Sequence, residues 1–128
     1  MPKMSPTQRT LQRLRGESYL PTVVEKFNPH SLTRHDLWGF ADILAIPLEN
    51  SPEQVILAIQ CTSASNLSSR VKKCLTGQPR RNIRILLGLG VRVQVWAWGK
   101  SRKNKQPEWR LKITRITLQD VEGPDDAT

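Results

Sequence analysis

Three polar residues stand where apolar ones are expected, and they are the natural place to look for chemistry. Asp42 lies in the run Phe40-Ala-Asp-Ile-Leu-Ala-Ile46, and Gln60 and Thr62 close the run Val55-Ile-Leu-Ala-Ile-Gln-Cys-Thr62. Both runs read as buried strands. Gln60 and Thr62 are two apart, so on a strand they share a face. The signal Pro47 to Pro52 is a turn that would let the two runs pair as a hairpin. A lone carboxylate then lies beside two neutral polar side chains on one sheet, and Asp42 can supply a hard oxygen of the kind that suits a cation such as Mg²⁺. An ionised Asp among Ala, Ile and Leu is costly to bury, which favours a functional role for it.

The elements that must position these groups follow from the rest of the chain. Ser5-Pro6 is a helix start, Leu11 and Leu14 form its apolar face, and Gly16 is its stop. Tyr19 to Phe27 reads as a strand, Asn28 to Arg34 as a loop, and Leu37 to Ile46 and Val55 to Thr62 as the next two strands. A helix over Ser65 to Leu75 carries the stripe Leu67, Val71, Cys74 and Leu75, and Gly77 ends it. Pro79 opens a second helix, stopped by Gly88 and Gly90. A strand over Val91 to Trp98 follows, then a basic loop from Gly99 to Pro107 and a last strand from Trp109 to Leu118. The order is α-β-β-β-α-(α)-β-β, an α/β domain with a mixed sheet flanked by helices. Residues 1–121 are expected to form one domain, and 122–128 a short, acidic, disordered tail.

Charge points to the partner. The 128 residues hold 20 Lys and Arg against 11 Asp and Glu, a net charge of +9. No acid lies between Glu53 and Glu108, a stretch that carries Arg70, Lys72, Lys73, Arg80, Arg81, Arg84, Arg92, Lys100, Arg102, Lys103 and Lys105. Such one-sided charge attracts polyanions, nucleic acid above all. Cys61 and Cys74 form no C-x-x-C motif, which fits a reduced, cytoplasmic protein. No apolar run is long enough to span a bilayer, so no membrane partner is expected. No phosphate-binding glycine motif occurs, and neither a zinc-type Cys cluster nor a Ser-His-acid spacing is present. Trp96 and Trp98 share one face of a strand. One reads as core, and the other is open between core, a stacking platform and a dimer surface.

The element order, with Ala41-Asp42-Ile43-Leu44-Ala45 on the second strand, Ile59-Gln60-Cys61-Thr62-Ser63 on the third and the basic helix after it, resembles the PD-(D/E)XK nuclease superfamily. The nearest likeness is to its small Holliday-junction-resolvase-like and phage or mobile-element members. It covers roughly residues 7 to 76. The resemblance implies a restriction-endonuclease-like αβββαβ core, a metal-dependent endonuclease acting on branched or structured DNA, and a homodimer. It further implies Mg²⁺ or Mn²⁺ held by Asp42, Gln60 and the Cys61 carbonyl. Gln60 replaces the family's acid and Thr62 its lysine. Glu25 or Asp36 is then the candidate for a second carboxylate, with Glu25 slightly better placed. Thr62 would position water or phosphate, and Lys73 or Arg70 would supply the missing cation. The catalytic set is thus Asp42, Gln60, Thr62 and Lys73. Arg70, Lys72, Lys73, Arg80, Arg81, Arg84, Lys100, Arg102, Lys103 and Lys105 are candidates for holding the nucleic acid, DNA before RNA. The substitutions at 60 and 62 also admit the alternative of a nuclease fold kept for binding alone.

Overall fold

A computed structural model describes residues 4–101 and 108–123. Helix α1 (Pro6–Gly16) leads into β1 (Tyr19–Val23). A two-stranded arm, β2 (Lys26–Asn28) and β3 (Thr33–His35), precedes β4 (Ile43–Pro47) and β5 (Leu57–Ser63). A 3-10 turn (Ala64–Asn66), α2 (Leu67–Cys74) and α3 (Gly77–Gly88) return the chain to β6 (Arg92–Ser101). Strand β7 (Glu108–Ile116) and the short α4 (Leu118–Val121) close the described chain.

The five long strands form one mixed sheet in the order β1-β4-β5-β6-β7. Only β5 and β6 run parallel, because α2 and α3 form the crossover between them; the other neighbours are antiparallel. The α/β architecture and the β4–β5 hairpin are therefore as expected. Both faces of the sheet are covered, which is why β5 is buried nearly throughout rather than alternating. On one face Leu57, Ile59, Cys61, Trp96 and Trp98 pack with Leu14 and Leu11 of α1. On the other, Ala58, Val93 and Val95 pack with Cys74 of α2, Ile83 of α3 and Val121 of α4. Both Trp96 and Trp98 are buried, so neither is a surface platform.

The Trp98 indole N–H donates to Thr10 Oγ1 at 2.9 Å, and the Thr10 hydroxyl donates to the Pro6 carbonyl at 2.8 Å. That pair of bonds ties α1 to β6. The N-cap Ser5 and Gln8 bond each other's backbone in a capping box, fixing where α1 begins.

Several boundaries differ from expectation. The strand expected over Tyr19 to Phe27 is two strands, since Val24 leaves the β1 edge to donate to the Asp42 carbonyl. The loop expected over Asn28 to Arg34 is the turn and second strand of the arm, with Lys26 opposite His35. Leu37 to Phe40 is a turn rather than strand. Trp38 and Gly39 have φ of 57° and 84°, and the Ala41 N–H closes onto the Leu37 carbonyl at 2.9 Å. A Cβ on Gly39 would also lie 3.0 Å from Pro79 of α3, so the position suits glycine twice over. Strand β6 continues through Gly99, Lys100 and Ser101, expected as loop, because β7 pairs with it as far as Glu108. Beyond Gly123 the expected tail lies outside the described residues, as does most of the expected basic loop.

Candidate metal and phosphate site

The cavity of about 580 Å³ at the lip of the β4–β5 hairpin gathers most of the polar residues singled out from sequence. Asp42, Gln60 and Cys61 line it from the sheet, Glu25 and Asp36 from the base of the arm, and Arg70 and Lys73 from α2. The first turns of α1 form the remaining wall.

Asp42 stands one residue before β4, at a place where β5 outruns its neighbour. The last β4–β5 register pair is Ile43 with Ile59, and the Asp42 N–H still donates to the Ile59 carbonyl at 2.9 Å. The next N–H on β5, that of Cys61, donates instead to Asp42 Oδ2 at 2.8 Å. Gln60 Nε2 donates to the same oxygen at 2.6 Å. Gln60 Oε1 is buried and has no hydrogen-bond partner. Buried polar atoms are seldom left so, and an orphaned acceptor at the edge of an oxygen-lined cavity asks for a donor or a cation.

Glu25, Asp36 and Asp42 each bring a carboxylate oxygen to within 4.8 Å of the others. The arm makes this possible. Since Lys26 pairs with His35, the flanking residues Glu25 and Asp36 emerge side by side at its base. Sequence spacing could not show that, because it depends on a hairpin over 26–35 that was read as strand and loop. The turn residues Asn28-Pro29 were the available sign of it.

Burial, then a hydrogen bond to Asp36, then the charges of Asp36 and Glu25 push the Asp42 carboxyl up to about 8, against the lowering effect of the Cys61 N–H. Lys73 Nζ donates to Asp36 Oδ2 at 2.7 Å, and Arg34 lies 3.7 Å from Glu25. Two of the three carboxylates thus face a cation, and Asp42 faces none. Burial also pushes the Cys61 thiol up to about 12 and the Cys74 thiol to about 11, which makes both inert as nucleophiles near neutrality.

The set fits a hard divalent cation. It offers three clustered carboxylates and an amide oxygen with no other use, and the Cys61 thiol, though Cys61 lines the cavity, is not among the clustered ligand atoms. The Cys61 carbonyl is already in distant contact with Gln60 Nε2, at 3.5 Å.

Thr62 lies farther along the same face of β5, is buried beside Ala97, and does not line the cavity. Lys72 is on the solvent face of α2. Arg80 and Arg84 are engaged elsewhere. Arg80 donates to the Glu122 carbonyl, and Arg84 to those of Val121 and Gly123, fastening α3 to α4. Lys100, next to last in β6, lies close to Trp109, and Arg102, Lys103 and Lys105 lie outside the described residues. Arg34 in the cavity wall was not anticipated, since it sat in an expected loop.

No protein-family model matches the chain, and no curated protein or solved structure is significantly similar to it. Among the described residues no helix is long and apolar enough to cross a membrane.

Proposed function

We propose that this protein is a metal-dependent DNA endonuclease, with the cavity around Asp42 as its active site and branched or otherwise structured DNA as its substrate. The observation that carries the reading is the carboxylate trio beside the buried, unpartnered Gln60 amide oxygen. Mg²⁺ or Mn²⁺ held there by Asp42, Glu25, Asp36 and Gln60 Oε1 would polarise a phosphodiester oxygen and activate a water. Asp42 supplies the oxygen with no cation of its own. Gln60 holds that carboxylate in place through its Nε2, and its own oxygen is buried with no partner. Lys73 and Arg70 stand on the α2 wall, where positive charge offsets that developing on a phosphate. Lys73 thereby fills, from a helix, the place that Thr62 leaves without a cation on the strand. The +9 charge supports an extended polyanion as substrate.

The test is cleavage of linear, nicked, flapped and four-way-junction DNA with Mg²⁺ or Mn²⁺, wild type beside Asp42→Asn. Metal-dependent cutting by wild type, lost in the variant, is the expected result. Cutting by both at equal rates would remove Asp42 from the reaction. Tight binding with no cutting by either would replace this reading with a nuclease fold retained for binding, which the residues at 60 and 62 favour.

A further inference from the structure

A second recess lies on the same sheet face as Asp42 and Gln60, at the β6–β7 edge of the sheet. It has a volume of about 370 Å³ and is lined by Ala64, Ala97, Gly99, Lys100, Ser101, Arg110, Leu111 and Lys112. Its floor is made of small residues. A Cβ on Gly99 would lie 2.8 Å from the Ala64 methyl, so the 3-10 turn sits directly against the sheet there. Its outer wall is the edge strand β7. Arg110 lies opposite Gly99 and Lys112 opposite Ala97, so both cations stand on this face. Helices α2 and α3 cover the β5–β6 part of that face but leave these β7 positions exposed.

No acid lines the recess; Lys100 alternates to the opposite face, beside Trp109, and the exposed pair Arg110 and Lys112 forms no ion pair among the described residues. Like charges gathered without counter-charges repel one another, and the arrangement suits a polyanion. Between the two sites this sheet face is closed, since Gln60, Thr62 and Ala97 are buried.

We infer that the β6–β7 groove holds the sugar-phosphate backbone of bound DNA, with Arg110 and Lys112 on its phosphates. The inference rests on the nucleic-acid reading above but assigns the contact to residues outside the candidate catalytic cavity. Small floor residues let the backbone approach closely, and the cations need no base-specific geometry. Contact there is independent of sequence.

The test is anisotropy of a labelled 20-base-pair duplex, without divalent metal, over a series of salt concentrations. The proteins are wild type, Arg110→Ala/Lys112→Ala, and Arg13→Ala/Arg15→Ala as a control of equal charge change on the exposed side of α1. The groove variant is expected to bind about tenfold or more weakly at 0.1 M salt. Its log–log salt slope should fall by about 1.8, from two lost contacts at ~0.9 each. The control is expected to stay within twofold of wild type. Equal binding by the groove variant, or an equal loss in the control, overturns the assignment. Should the double variant not fold, Lys112→Gln alone is expected to lower the slope by about 0.9, and an unchanged slope overturns the assignment too. Asp42→Asn in parallel separates the two readings. Groove-dependent binding with no cleavage by wild type sinks the nuclease and leaves the groove. Metal-dependent cleavage with unimpaired groove variants does the reverse.

Discussion

One oxygen of Asp42 accepts the hydrogen bonds from Gln60 Nε2 and from the Cys61 N–H, and this decides how the residue should be tested. In Asp42→Asn the amide oxygen can take the place of that atom, so both donors stay satisfied. The variant is expected to unfold within about 1 kcal/mol of wild type, while Asp42→Ala strands two buried donors and loses about 2–4 kcal/mol. Urea unfolding of the pair checks this. Gln60→Glu sets a second carboxylate against Asp42 in place of a hydrogen-bond donor. The metal-free variant should melt lower than wild type, since two adjacent carboxylates cannot both ionise cheaply. It should also gain more melting temperature on adding Mn²⁺. Thermal scans with and without 10 mM Mn²⁺ test both halves, and an unchanged metal response would count against Gln60 facing a cation. Lys73→Met is expected to slow cleavage about 10²-fold, the scale of one lost electrostatic contact at a transition state, in a single-turnover assay.

Among the elements, α1 is the one that sequence placed most reliably, through Ser5, Pro6 and its Leu11 and Leu14 face. Its N-terminal turns wall the cavity, and they are held by the buried bond from Trp98 to Thr10. Thr10→Val keeps the shape and removes the acceptor, leaving an indole N–H buried without a partner. A loss of about 1–3 kcal/mol is expected, measured by chemical denaturation, with a normal loss of stability absent in Thr10→Ser. The arm was the least legible element. Its strands have three residues each and no buried position, so no hydrophobic alternation marks them. Yet its register, Lys26 with His35, brings Glu25 to Asp36. Strand ends were misjudged for a related reason. Leu37, Trp38 and Phe40 are apolar enough to read as strand, but left-handed backbone at Trp38 and Gly39 turns the chain before β4 begins.

For the whole molecule, stability and pH are linked through Asp42. Its carboxyl titrates near 8 in the fold but near 3.8 in the unfolded chain. Between those values the folded state holds the extra proton, so the contribution of Asp42 to stability falls as pH rises through the window. The metal-free protein should therefore lose more melting temperature between pH 5 and pH 8 than Asp42→Asn does. A divalent cation, by favouring the ionised form, should narrow the gap at pH 8. With a dissociation constant of ~1 mM, 10 mM ion would add about 1.4 kcal/mol. Differential scanning fluorimetry of both proteins across that range measures it, and parallel curves would argue against Asp42 as the titrating group.

The sequence by itself determined the α/β class, the β4–β5 hairpin, the helical stripe of α2 and the choice of Asp42 and Gln60. These follow from local periodicity, turn residues and the cost of polar groups in apolar runs. Only the tertiary structure decided which acids join Asp42, that both Trp96 and Trp98 are core, that Arg80 and Arg84 are fastened to α4, and that Lys73 rather than Thr62 reaches the cavity. Each of these depends on contacts between residues far apart in the chain, such as Lys73 with Asp36, 37 residues away. Sequence periodicity reports which face of its own element a side chain occupies, and it carries no information about what another element sets opposite that face.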